Sequence, residues 1–372
     1  MGLTSGTMRA MQFDDDEWLS ALDGPAREQR RKLLELLARD GFSDDELRVA
    51  IDENRLALLP VDRLLGGIYT AREIEQRSDL PAAVMVRMRR LAGLPEPGLD
   101  DRVFSEADIE AARSTKLFLD AGFREDAITE ITAVLGEGMS RLSATITAAF
   151  LQTFLRKGDS EEDVALRFAM LAEELTPAIE PILVSAFNAH LRDAVRRGML
   201  GRRELDTGEP PLEQDLCVCF ADLVGFTRMG SEVDVGEVGS VAGRLGRLAA
   251  AATHPPVRLI KTIGDAAMFV SPEPDAMVRV ALELIDAITA EDLPSLRAGI
   301  AFGPVTIRAG DYFGNTVNVA SRVTGAARPG SVLCTAEVRD AGDGEFDWSF
   351  AGRHRLKGVA GPIPLFRARS RA

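Results

Sequence analysis

Leu216-Cys217-Val218-Cys219-Phe220-Ala221-Asp222-Leu223-Val224-Gly225-Phe226-Thr227 marks where this chain changes character. Leu216 to Ala221 is apolar at every position, so an extended strand here buries both faces, as at the centre of a sheet. Asp222 ends that strand, and Leu223 to Thr227 forms a loop ahead of a helical stretch near 232–252. No strand alternation precedes residue 214, so the chain divides into a helical front and a mixed back half.

Toward the C-terminus, short strands are predicted around 257–261 and 266–270, joined by a hairpin-like turn at Gly264-Asp265. A helix at about 275–290, strands near 296–308, a helix at 315–327 and a strand at 331–334 follow. This β-α-β-β-α-β order with additions predicts an α+β domain over residues 214–372, with a ferredoxin-like core, a mainly antiparallel sheet and helices over one face.

Toward the N-terminus, residues 1–200 read as an all-α domain of punctuated helices. Leu33, Leu34, Leu36 and Leu37 recur at near-helical spacing until Asp40-Gly41 stops the run. Further helices are predicted around 44–57, 70–77, 81–92, 105–121, 124–135, 138–156, 160–175 and 178–200. Residues 201–213 are polar and carry Pro210-Pro211, which reads as a linker.

The chain has 372 residues, enough for two domains with full cores, and its net charge is −14. Residues 1–200 hold 25 Lys/Arg against 36 Asp/Glu, so the acidity sits in the helical half. That argues against non-specific phosphate-backbone binding, and no nucleic acid partner is expected. Cys217, Cys219 and Cys334 form neither a disulfide framework nor a zinc knuckle, and His190, His254 and His354 are too scattered for a zinc site. With no cationic-then-apolar leader and no apolar run of about 18 residues, the chain reads as cytoplasmic.

Two carboxylates stand out in the back half. Asp222 alone suits a helix cap and Asp265 alone a turn residue. Together, at the tips of neighbouring strands, they repel unless a cation lies between them, and hard oxygen ligands favour Mg²⁺ or Mn²⁺ over zinc. A second constellation is Asp311-Tyr312-Phe313-Gly314-Asn315-Thr316-Val317-Asn318-Val319-Ala320-Ser321-Arg322. Asn318 and Arg322 share a helix face, and Asp311 precedes them across Gly314 and a cap expected at Asn315 or Thr316. A carboxylate, an amide and a guanidinium in this register suit a polyanionic ligand with a hydrogen-bonding head.

Segments 214–228, 258–270 and 297–328 closely resemble the three main motif blocks of class III nucleotidyl cyclases, and the resemblance covers roughly 214–372. It implies an adenylyl cyclase that converts ATP to 3′,5′-cyclic AMP and pyrophosphate. By that likeness Asp222 and Asp265 hold two divalent metals per site, Mg²⁺ or Mn²⁺. Lys261 and Asp311 read adenine, Asn318 positions the ribose and Arg322 meets the α-phosphate. Phe226 and Thr227 lie in the loop whose backbone N–H groups face the phosphates. All six main positions carry the adenylyl-type residue, where guanylyl cyclases have glutamate at the Lys261 position and cysteine or another small residue at the Asp311 position. The family likeness further implies a homodimer whose two sites are each built from both chains.

Residues 1–200 resemble the adenylate cyclase regulatory domain, and the whole chain resembles the autoinhibited, pH-responsive adenylyl cyclases of mycobacteria. The implied role is autoinhibition, with Ile179 to Arg203 as transmitter. Crowded carboxylates that raise one another's pKa, and His190 in the transmitter, are the groups expected to sense acid. One stretch, Tyr69 to Asp108, also resembles a winged helix-turn-helix of the MerR type, which leaves a non-enzymatic nucleotide-sensing regulator as the alternative function.

Overall fold

The computed structural model describes residues 13, 16–19, 22–197, 213–226, 235–291 and 293–371, which fall into two compact units, Met1–Met199 and Leu200–Ala372. The expected linker 201–213 lies outside the described residues except for Glu213.

The first unit is helical: α1 (Asp16–Leu19), α2 (Gly24–Arg39), α3 (Asp44–Asp52), a 3-10 turn (Leu56–Leu58), α4 (Leu59–Leu65), α5 (Ala71–Ser78), α6 (Ala82–Leu91), α7 (Glu106–Asp120), α8 (Glu125–Phe154) and α9 (Glu161–Arg197). Leu33, Leu34 and Leu37 of α2 are fully buried against Leu47 and Ala50 of α3 and Ala165 of α9. Ser43 with Glu46 and Thr70 with Glu73 form reciprocal capping boxes that fix where α3 and α5 begin.

Two helices run through breaks that the sequence predicts. α8 continues across Gly136 and Gly138, where a Cβ on Gly136 would stand 2.4 Å from the Ala92 Cα. A glycine there costs about 1 kcal/mol of helix propensity but lets α8 lie directly on the end of α6. α9 continues across Pro177 and Pro181. Pro177 leaves the Glu173 carbonyl without its helical donor, and both residues are exposed, so water can satisfy that carbonyl.

The helix-turn-helix-like segment folds as α5, a left-handed Asp79 and α6, with an isolated Tyr69–Phe104 bridge beside them. Four of its six arginines pair with carboxylates of the same unit, while Arg77 and Arg89 lie over the Tyr69 and Phe104 rings. Arg72 pairs with Asp100, Arg87 with Glu125, Arg90 with Glu96 and Arg102 with Glu73. These pairs offset the charge of four arginines that could otherwise meet a phosphate backbone.

Five carboxyls of this unit are held below the ordinary range rather than raised. Hydrogen bonds hold the carboxyls of Glu46, Glu73, Asp126 and Asp163 below the ordinary range, the leading donors being Ser43, Thr70, Arg124 and Ser160. The Arg167 guanidinium, bonded to Asp159 between α8 and α9, takes that carboxyl down to about 2. A depressed carboxylate contributes stability that is present at neutral pH and lost only as pH falls through its lowered value. These groups therefore stay ionised throughout mild acid.

The second unit has an eight-stranded sheet: β1 (Gln214–Leu223), β2 (Arg258–Ile263), β3 (Ala266–Ser271), β4 (Leu296–Arg308), β5 (Asp311–Phe313), β6 (Ser331–Thr335), β7 (Phe346–Arg355) and β8 (Pro362–Ser370). Its order is β2-β3-β1-β4-β6-β8-β7, with β5 paired to β4, and only β4–β6 is parallel. The helices are α10 (Val235–Ala251), α11 (Pro274–Ala290), α12 (Asn315–Ala326) and α13 (Ala336–Ala341).

Helices cover both faces of the sheet, not one. Cys217, Cys219, Ala221 and Leu223 of β1 pack with Leu245 of α10 and with Met277, Leu284 and Ile288 of α11. The alternate residues Leu216 and Val218 pack with Val319, Ala320 and Val323 of α12. A strand alternates its side chains between faces, so a strand buried throughout needs cover on both. The three cysteines are free and buried, and burial pushes their thiols up.

Candidate active site

Asp222, next to last in β1, lies in register with Ala266 of β3 on one side and Arg297 of β4 on the other. Asp265 sits in the β2–β3 turn, where its carbonyl accepts the Leu223 N–H at 3.0 Å. Sheet pairing thus brings together the two carboxylates expected at neighbouring strand tips. Burial raises the Asp265 carboxyl first, the charge of Asp222 adds to that, and a backbone hydrogen bond and Arg297 oppose it.

Arg297 is a site residue that the sequence reading missed. Its Nε and Nη2 donate to one oxygen of Asp222 at 3.0 and 2.6 Å, and its Nη1 reaches the Gly325 carbonyl at 3.4 Å. Asp222 and Arg297 lie 75 residues apart in sequence. Only the β1–β4 register joins them, and no local signal marks it.

Two clustered carboxylates, one destabilised by the other's charge, fit a hard divalent cation, which relieves that repulsion. Among the described residues no group of three or more His, Cys, Asp or Glu forms a complete protein cage. A two-carboxylate site suits Mg²⁺-like ions, which take their remaining ligands from water and substrate phosphates.

The second cluster lies on β2 and β5. Lys261 Nζ bonds the Asp311 carboxylate, whose other oxygen accepts the Tyr312 N–H at 2.9 Å. Burial works to raise the Asp311 carboxyl, but the Lys261 hydrogen bond, the Tyr312 N–H and the Lys261 charge outweigh it and hold the group below its ordinary value. Asp311 is therefore an ionised acceptor beside a lysine donor.

α12 carries the third group. Its N-cap is Gly314, not Asn315 or Thr316, and the Thr316 hydroxyl instead donates to the Pro304 carbonyl at 2.8 Å. Thr316, Val319, Ala320, Val323 and Thr324 face the sheet, which leaves Asn318 and Arg322 exposed on the opposite side. Arg322 has no acidic partner among the described residues, so its charge is available to an anion. Thr324 Oγ1 bonds the Phe220 carbonyl at 3.1 Å and ties the helix to β1.

The loop after β1 is only partly described. Phe226 is half-buried and packs against the core beneath α10 and α11. Thr227 lies outside the described residues.

With this geometry in place, comparisons with known proteins identify both halves. The adenylate cyclase regulatory domain matches residues 11–195, and the adenylate and guanylate cyclase catalytic domain matches residues 209–366. The pH-sensitive adenylate cyclase MT1302 of Mycobacterium tuberculosis is 39% identical over 378 residues, covering 99% of this chain and 94% of that protein. An adenylate cyclase of Glutamicibacter nicotianae is 29% identical over 74% of this chain and 72% of its own length. Among solved structures, the catalytic core of a rhodopsin-guanylyl cyclase with converted specificity, in complex with ATPalphaS, is 26% identical. It covers 43% of this chain and 98% of that chain, with a TM-score of 0.40. The chain belongs to the class III adenylate cyclases that carry an adenylate cyclase regulatory domain ahead of the catalytic domain.

Proposed function

We propose that the chain acts as a homodimer in which each site takes Asp222 and Asp265 from one protomer and Lys261, Asp311, Asn318 and Arg322 from the other. The observation that carries the assignment of ATP is the Lys261–Asp311 pair. Adenine offers an amino donor at N6 and a ring acceptor at N1, which match an ionised Asp311 and a Lys261 donor. Guanine presents the reverse polarity and would leave both partners unsatisfied.

The dimer is supported by an open sheet face. Among the described residues, α12 is the only helix in the core layer that carries Val218, Met268 and Val270. Phe220 and Ile260 remain half-buried there, and Ile263, Ile307 and Phe313 are exposed on β2, β4 and β5. A second copy applied by two-fold symmetry covers this surface and sets each metal-holding corner against a base-reading one.

In the reaction, the ribose 3′-hydroxyl attacks the α-phosphorus and pyrophosphate leaves. Divalent metal, which class III cyclases generally use, supplies hydroxyl activation and triphosphate neutralisation; we assign two ions, Mg²⁺ or Mn²⁺, to Asp222 and Asp265. Arg297 donates to Asp222 and offsets its charge. Asn318 orients the ribose, and Arg322 offsets charge growing on the transferring phosphoryl group.

The purified chain with Mn²⁺ is expected to form cyclic AMP from ATP and, from GTP, cyclic GMP at a kcat/KM lower by on the order of 10²-fold or more. Chromatographic assay of both products checks this, and comparable turnover of the two nucleotides would sink the base assignment.

The regulatory domain is proposed to hold the catalytic halves apart at neutral pH. Removing residues 1–211 is then expected to raise the rate at neutral pH and to flatten the pH profile between about 5.5 and 8. Full-length and truncated chains, assayed side by side, test this; an unchanged or lower rate after truncation refutes autoinhibition.

A further inference from the structure

The Lys261–Asp311 pair rests on slight supports. Among the described residues, β5 is three residues long and pairs only with β4, and β2 is an edge strand that pairs only with β3. No backbone ladder joins β2 to β5, yet the two residues that read the base must hold a fixed spacing.

A second side-chain pair bridges the same two strands. The Arg258 guanidinium donates to the Tyr312 hydroxyl, and its central carbon lies 5.5 Å from the Tyr312 ring centroid. Tyr312 is 5% exposed and belongs to the core layer beneath α12. Arg258 is half-buried and has no carboxylate partner among the described residues.

The backbone places the two pairs together. β2 has a bulge between Leu259 and Lys261, so Arg258 opposes Val270 and Lys261 opposes Met268. Residues three apart on a regular strand face opposite sides. The extra residue, Ile260, puts Arg258 and Lys261 on one face, the one that carries Val270 and Met268. On β5, Asp311 and Tyr312 are adjacent, and the Tyr312 N–H bonds the Asp311 carboxylate.

We propose that Arg258 and Tyr312 are a positioning pair that locks β2 to β5 and holds Lys261 and Asp311 at the spacing adenine requires, so that they set the preference for ATP over GTP without touching the nucleotide. This rests on Lys261 and Asp311 being the base-reading residues. Loss of the strut lets β5 move relative to β2 while both reading groups remain present. The penalty then falls on recognition of the base more than on the chemistry around the α-phosphate.

The test uses the full-length chain with Tyr312→Phe, which keeps the buried ring but removes the hydroxyl, and Arg258→Met, which keeps the stem but removes the charge. Both are expected to raise KM for ATP several-fold and to cut the ATP-to-GTP ratio of kcat/KM by about tenfold, with kcat changed far less. Arg258→Lys restores part of the ratio, and the double variant is no worse than either single one. Lys261→Ala and Asp311→Ala run in parallel. If those two lose base selection while Tyr312→Phe and Arg258→Met keep it, the positioning role is overturned and the base-reading assignment stands. If all four keep selection, both fall. A loss confined to kcat that tracks a fall in melting temperature also overturns the positioning role.

Discussion

Co-expressed Asp222→Ala and Arg322→Ala chains regain cyclase activity that neither has alone. In the proposed homodimer, each single variant disables every site of its own dimer. Asp222→Ala removes one of the two carboxylates proposed to hold cations and strands Arg297. Arg322→Ala removes a guanidinium free to meet phosphate, a loss of the order of 10²-fold or more in turnover. In a mixed dimer, one site takes its carboxylates from the Arg322→Ala chain and its arginine from the Asp222→Ala chain, and is intact. With random pairing about half the dimers are mixed and each has one good site of two, so about a quarter of the wild-type rate returns. Asp222→Asn, which keeps an acceptor for Arg297, separates loss of metal from loss of fold. Correctly folded partners that form mixed dimers yet recover no activity would rule out the shared site.

The legible parts of the site were those that local chemistry marks. Asp222 follows six apolar residues, Asp265 sits in a glycine turn, and Asn318 and Arg322 are spaced for one helix face. Arg297 and Arg258 act through partners on other strands, 75 and 54 residues away, and register across a sheet has no signature within a single strand. The two-sided cover of the sheet was readable in principle. Leu216 to Ala221 is apolar throughout, and that demands helices on both faces. β7 and β8 lie beyond the last predicted strand, although Phe346, Trp348 and Phe350 alternate at strand period. In the helical half, glycine and proline signal stops by local propensity alone. Tertiary packing at Ala92 and hydration of an exposed carbonyl outweighed them.

Gly299→Ala is expected to cost about 10²-fold in turnover, although Gly299 touches no substrate. Gly299 lies in β4 directly beneath α12, where an added Cβ would stand 2.1 Å from the Thr324 N and 2.6 Å from the Thr324 Cα. Those are backbone atoms of a helix that is itself bonded to β1 through Thr324, so no side-chain rotation relieves the clash. The helix must lift from the sheet by about 1 Å or more to reach ordinary contact, and Asn318 and Arg322 move with it. A displacement of that size at a group positioned for reaction costs about 10²-fold. Stability falls as well, because Val319, Ala320 and Val323 leave the core layer they share with Val218 and Leu333. The two effects separate in measurement. Far-UV circular dichroism and thermal melting report the fold, whereas turnover at saturating ATP, on protein shown to be folded at the assay temperature, reports the displaced arginine. Folded Gly299→Ala protein with near-normal kcat would mean that α12 need not sit at this height for catalysis, and that Arg322 reaches the α-phosphate from a range of positions.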